Sequence, residues 1–226
     1  MVFSCHSISL PGDRSPRSIC YIRVKITSAE QTKPQLRLIE TMNLYLMRHA
    51  DAGVPRENPV LDAKRGLVKE GKQQCMLMAG ILAGLNAQID VIVSSPLKRA
   101  RQSAQFVATE IGFESPIITS PALAPDGDYP ALQHLIAEHS SREGVLFVGH
   151  NPNLHQLIAK LISGNGNGNG HNHLPGGGSI RLRKGSMARI DLAKRPPQLQ
   201  WLIDPRLARV VYASVTKSSR PKTSRK

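Results

Sequence analysis

Three short apolar runs constrain this chain more than anything else in it. Each one ends directly in basic, imidazole or hydroxyl side chains. They are Leu44–Met47 in LYLMRHA, Asp90–Val93 in DVIVSSPLKRARQSA and Gly144–Val148 in GVLFVGHNPN. Runs of this length, apolar on both alternating faces, read as strands buried on both sides. The stretches between them have helical periodicity. Residues 69–85 carry apolar positions 77, 78, 81, 82 and 85 on one stripe, and further helices are expected over Lys98–Ile111, from Tyr129 toward His139, and over 153–162. Pro116–Thr119 is a candidate third strand in chain order. Such alternation predicts a layered α/β domain whose central, mostly parallel sheet is covered on both faces.

The rest of the chain reads as flanks and loops. Residues 1–41 hold no sustained period after their first few residues and form an expected N-terminal extension, either disordered or preceding a true start at Met42. The domain is expected over 42–205, and 206–226 is expected to be a C-terminal end with a basic tail. Segments 177–182 and 187–192 suggest a late hairpin, with Trp201 and Leu202 packing against the body. The Gly/Asn run 164–172 reads as a surface loop. His171 and His173 beside it have no neighbouring Cys or carboxylate with which to hold a metal.

The net charge of +14 raises nucleic-acid binding, yet much of the excess sits at the ends. Residues 42–216 carry 19 Lys/Arg against 13 Asp/Glu, a net of +6. Four Phe, four Tyr and one Trp provide little stacking surface for bases. Neither a nucleic-acid nor a membrane partner is therefore expected, and a monomer is the default. Three scattered cysteines, with no CxxC pair, fit a reducing, cytoplasmic setting.

If the three strands are neighbours, Arg48, His49, Arg99 and His150 converge beyond their C-terminal ends, where chemistry gathers in open α/β sheets. Taken singly, each residue reads as a cap or a surface side chain. Together they make a pocket for a phosphate group, because the planar guanidinium fork donates two parallel hydrogen bonds to such an anion and stays charged.

The combination LYLMRHA, SSPLKRARQSA and VGHNPNL resembles the histidine phosphatase superfamily, and within it the small SixA-type phosphohistidine phosphatases, over about residues 42–205. The resemblance implies a three-layer α/β/α sandwich that uses no metal or other cofactor. It makes His49 the nucleophile, Arg48 and Arg99 the phosphate-binding arginines, and His150 a second pocket histidine, expected to be protonated. Two departures stand out: RHA replaces the common RHG, and Val68 in RGLVKEG replaces a threonine, so a helix cap should differ.

The implied reaction moves a phosphoryl group onto His49 and then to water. The expected substrate is a histidine-phosphorylated protein, such as a phosphotransfer domain or a histidine kinase. The alternatives are a phosphatase of small phosphate monoesters and a catalytically silent phosphoprotein-binding module. Ester hydrolysis would call for a proton donor, for which Asp51, Asp126 and Asp128 are the candidates.

Overall fold

The computed structural model describes residues 42–163 and 179–218. Within them a six-stranded sheet runs in the order β3-β2-β4-β1-β5-β6. Its strands are β1 (Asn43–Arg48), β2 (Val91–Ser94), β3 (Ile118–Thr119), β4 (Gly144–Gly149), β5 (Met187–Asp191) and β6 (Gln198–Ile203). The first four are mutually parallel, β5 joins β1 antiparallel, and β6 joins β5 antiparallel at the edge of the sheet. The helices are α1 (Pro59–Ala63), α2 (Lys69–Gly84), α3 (Lys98–Glu110), α4 (Tyr129–Glu138), α5 (Asn153–Ser163) and α6 (Pro205–Ser218).

The period-2 alternation of the central strands explains the three layers. Leu44 and Leu46 of β1 join Val93, Phe147, Leu132 and Leu157 in one core, under α4 and α5. Tyr45 and Met47 face the opposite way, with Ile92, Leu146, Met78 and Val107, under α2 and α3. The expected α/β/α sandwich is thus the observed one. Small residues let α3 lie close: Ala100, Ser103, Ala104 and Ala108 are all buried.

The parallel register places the three apolar runs side by side. Arg48 pairs with Gly149 across β1 and β4, and Ser94 pairs with Val148 across β2 and β4. The strands therefore end level with one another, and the residues that follow them share one rim of the sheet.

One expectation is corrected near the C-terminus. Among the described residues the late hairpin joins β5 to β6, through pairs such as Ala188 with Leu202, and Ser179–Leu182 forms no strand paired with 187–192. Ile180–Leu182 lies outside any strand, and the Leu182 carbonyl accepts from the side chains of Arg48 and Asn151 instead of a neighbouring strand. The segment from Pro205 is a helix through Ser218. Trp201 packs as expected, its ring centroid 6.0 Å from that of Tyr45. The extension 1–41, the Gly/Asn run with His171 and His173, and the last eight residues lie outside the described residues. Among the described residues, no helix is long and apolar enough to cross a membrane.

Candidate active site

His49 follows β1 directly and is 6 % exposed. Its backbone N–H donates to the Gly149 carbonyl at 2.9 Å, which ties it to the end of β4. Its ring Nδ1 lies 2.8 Å from the Ala50 carbonyl. A carbonyl can only accept, so Nδ1 carries the proton and Nε2 keeps its lone pair. Burial, followed by the charges of Arg99, Arg48 and Arg65, outweighs that hydrogen bond and brings the His49 pKa down from 6.5 to about 4. His49 is therefore a neutral imidazole at physiological pH, with a fixed tautomer and an unprotonated Nε2.

His150 follows β4, and its ring centroid lies 4.8 Å from that of His49. Its Nε2 is 2.9 Å from the hydroxyl of Ser95, the first residue after β2. Burial, then the charges of His49, Arg99 and Arg48, push its pKa down to about 3. In the free protein His150 is therefore neutral. Two nearby guanidiniums oppose a further cation, and an imidazolium there needs the charge of an anion beside it.

Both arginines are anchored by one nitrogen and leave another unpaired. Arg48 donates Nη1 to the Leu182 carbonyl at 3.0 Å. Arg99, in the first turn of α3, donates Nη1 to the backbone carbonyl and the carboxylate of Asp62, each at 3.1 Å. The Nε–H of each arginine is buried without a partner. Unpaired buried donors on charged groups are costly, and an oxyanion is the kind of ligand that satisfies such donors. The four residues singled out from sequence are thus brought to one place.

The candidate proton donors fit that role poorly. Burial tends to raise the Asp51 carboxyl pKa, but hydrogen bonds from Lys184 and from the Gly53 and Ala52 backbone, with the Lys184 charge, lower it overall. The Lys184 ammonium sits 2.8 Å from Asp51 Oδ1, so this carboxylate is ionised and already engaged. Asp128 is exposed and caps α4, accepting from the Ala131 N–H at 2.8 Å. Asp126 is an exposed residue of the preceding turn.

Sequence reasoning missed the residues that hold the pocket in shape. Asp62 accepts from Arg65 Nε at 2.8 Å as well as from Arg99. Arg65 reaches on to the carbonyls of Ala52 and Gly53. Hydrogen bonding from Arg65, then from the Arg56 backbone, draws the Asp62 pKa down to about 2. Ser103 accepts from the Ala50 N–H at 3.0 Å and donates to the Arg99 carbonyl at 2.7 Å, linking β1's exit to α3. An Asp62–Arg65 pair three residues apart looks in sequence like an ordinary surface ion pair. Only the fold brings Arg99 to it.

Known proteins share this fold. Residues 44–124 match the model of the histidine phosphatase superfamily (branch 1). The phosphohistidine phosphatase SixA of Escherichia coli K12 is 31 % identical over 126 residues, which cover 54 % of this chain and 76 % of that protein. An uncharacterized protein of a Picosynechococcus strain is 34 % identical over 152 residues, covering 66 % of this chain and 88 % of that protein. Among solved structures, the protein histidine phosphatase SixA complexed with tungstate aligns with a TM-score of 0.61 at 25 % identity, over 74 % of this chain and 99 % of that one. The α-ribazole phosphatase of Shigella flexneri shares the fold alone, with a TM-score of 0.52 at 18 % identity, over 73 % of this chain and 97 % of that one. With the fold, the pocket and these relatives in agreement, the chain belongs to the histidine phosphatase superfamily.

Proposed function

We propose that this protein is a phosphatase of histidine-phosphorylated proteins, acting through a phosphoryl group carried on His49. The observation that carries this reading is the pairing of a neutral, tautomerically fixed His49 with two arginines whose buried Nε–H groups are unpartnered. In the first step His49 Nε2 attacks phosphorus, and the N–P bond of the substrate breaks as the new N–P bond forms. Arg48 and Arg99 stabilise the charge on the phosphoryl oxygens, and His150 joins them once that charge is present. Water then displaces the phosphoryl group from Nε2, which releases inorganic phosphate and restores His49.

The choice of substrate follows from the leaving group. An ester releases an alkoxide, which calls for a positioned acid. The carboxylates that hydrogen-bond into this site, Asp62 and Asp51, are both held ionised by cations. A phosphohistidine whose far ring nitrogen carries a proton releases neutral imidazole and needs no acid from the enzyme. The likeness to the E. coli phosphohistidine phosphatase supports the same choice.

The test is phosphate release from a histidine-phosphorylated phosphotransfer domain, run beside a panel of phosphate esters with wild type and His49→Ala. Release from the phosphoprotein that is lost in His49→Ala is the expected result. Preferential turnover of esters would reject the reading.

A further inference from the structure

We infer that the hollow beside the phosphate pocket is a docking groove for the substrate protein, fitted to a face on which an apolar residue is flanked by Asp or Glu. This rests on the reading of the chain as a phosphatase of phosphoproteins. The hollow has a volume of about 720 Å³ and lies between the loop that follows His49 and helix α1. Its apolar wall is formed by Val54, Pro55, Leu61 and Val68, and its cationic rim by Arg56 and Lys64. No carboxylate is among its lining residues.

The apolar side chains of this wall do nothing for the core. Val54 is 83 % exposed, Leu61 50 % and Val68 38 %, and α1 has no buried residue at all. Contiguous apolar surface framed by polar residues marks interaction sites on soluble proteins. The rim favours an acidic partner, because a partner bearing carboxylates meets two exposed cations and no acid among the lining residues. A small phosphate ester would leave the wall uncovered, whereas a protein face would cover it.

The groove also joins the catalytic pocket. Arg65 lines it, and the same guanidinium donates to Ala52, Gly53 and Asp62, whose carboxylate holds Arg99. A partner seated in the groove is therefore joined to the phosphate-binding Arg99 through two side chains, Arg65 and Asp62. A phosphorylated imidazole projecting from that partner would enter the pocket from this side.

The experiment compares two substrates in wild type, in a Val54→Ser/Leu61→Ser double variant, and in Lys64→Glu. One substrate is a histidine-phosphorylated phosphotransfer domain, and the other is phosphoimidazole, which reaches only the pocket. Among the described residues, no hydrogen bond or ion pair joins the three substituted side chains to Arg48, His49, Arg99 or His150. The groove predicts a rise in KM for the phosphoprotein of about tenfold or more in each variant, with kcat little changed. Turnover of phosphoimidazole stays at the wild-type level. Raised salt should weaken phosphoprotein binding by wild type more than by Lys64→Glu. Unchanged phosphoprotein KM in both variants would overturn the groove and leave the phosphatase reading standing. Parallel losses on both substrates would also overturn it, by showing that the segment supports the pocket itself. Wild type that turns over phosphoimidazole but not the phosphoprotein would instead reject the underlying reading.

Discussion

Asp62 holds Arg99 through a single nitrogen, since Nη1 donates to both the backbone carbonyl and the carboxylate of Asp62 at 3.1 Å. The Nε edge of the guanidinium is thereby kept clear of protein acceptors. Asp62 touches no reacting atom in the proposed mechanism, so it is a positioning residue. Misplacing a phosphate-binding group by about 1 Å costs on the order of 10²-fold in rate. Asp62→Ala should therefore lower kcat/KM by roughly 10 to 10²-fold, with Asp62→Asn intermediate because its amide oxygen still accepts one bond. Steady-state kinetics checks this, with thermal unfolding as the control. Equal losses in the two variants would count against positioning by the carboxylate.

The two buried histidines set an acid limit on stability. Both are neutral in the folded protein, with pKa values of about 4 for His49 and about 3 for His150, below the ordinary 6.5. Between those values and 6.5 the unfolded chain binds more protons than the folded one, so stability rises with pH across that window. The contribution is fully present above about pH 6.5 and is lost as pH falls toward 4 and then 3. Side-chain NMR titration should find both rings unprotonated at pH 5.5, and addition of tungstate should raise the His150 pKa. Ordinary titration of both rings near pH 6.5 would contradict the geometry.

Val68 starts helix α2 as its N-cap and makes no side-chain hydrogen bond to the first turn. Threonine there would accept from an N–H that valine leaves without a side-chain acceptor. Val68→Thr should stabilise the fold by about 0.5–1 kcal/mol. The midpoint of urea unfolding would move upward at constant slope, and no shift would show that the end of α2 is satisfied in another way.

Gly71 marks a close approach between α2 and the loop leaving His49. A Cβ built on it would lie 2.1 Å from the Asp51 carbonyl oxygen. Gly71→Ala must push that backbone away, at a cost of about 1–3 kcal/mol. Because Asp51 is two residues from His49, activity should fall with stability. Wild-type stability and activity in this variant would mean that the two segments separate without effect.

The parts of the site carried by the sheet were legible in sequence, and the parts carried by loops were not. Arg48, His49 and His150 sit at the ends of strands buried on both faces, so the apolar runs locate them. Arg99 follows from a strand-to-helix junction of the same kind. Asp62 lies in, and Arg65 just after, a 5-residue helix with no buried side chain, which leaves no hydrophobic period to read. Its start was nevertheless marked: Asn58 accepts from the Val60 and Leu61 N–H groups, and Pro59 occupies the first turn. Helix α6 carries a similar signal, with Arg206 N–H donating to the Asp204 carboxylate and Pro205 beside it. The misread hairpin had a different cause. Ile180–Leu182 alternates like a strand, but Leu182 gives its carbonyl to two side chains.

The most direct test of the account is to identify the phosphorylated nitrogen. Enzyme mixed with a histidine-phosphorylated phosphotransfer domain would be quenched in alkaline denaturant and studied by ³¹P NMR and peptide mass spectrometry. Because Nδ1 is bound to the Ala50 carbonyl, the predicted result is an acid-labile phosphoryl group on Nε2 of His49, absent from His49→Ala. A phosphoryl group on Nδ1, or on another residue, or phosphate release that persists in His49→Ala would contradict it.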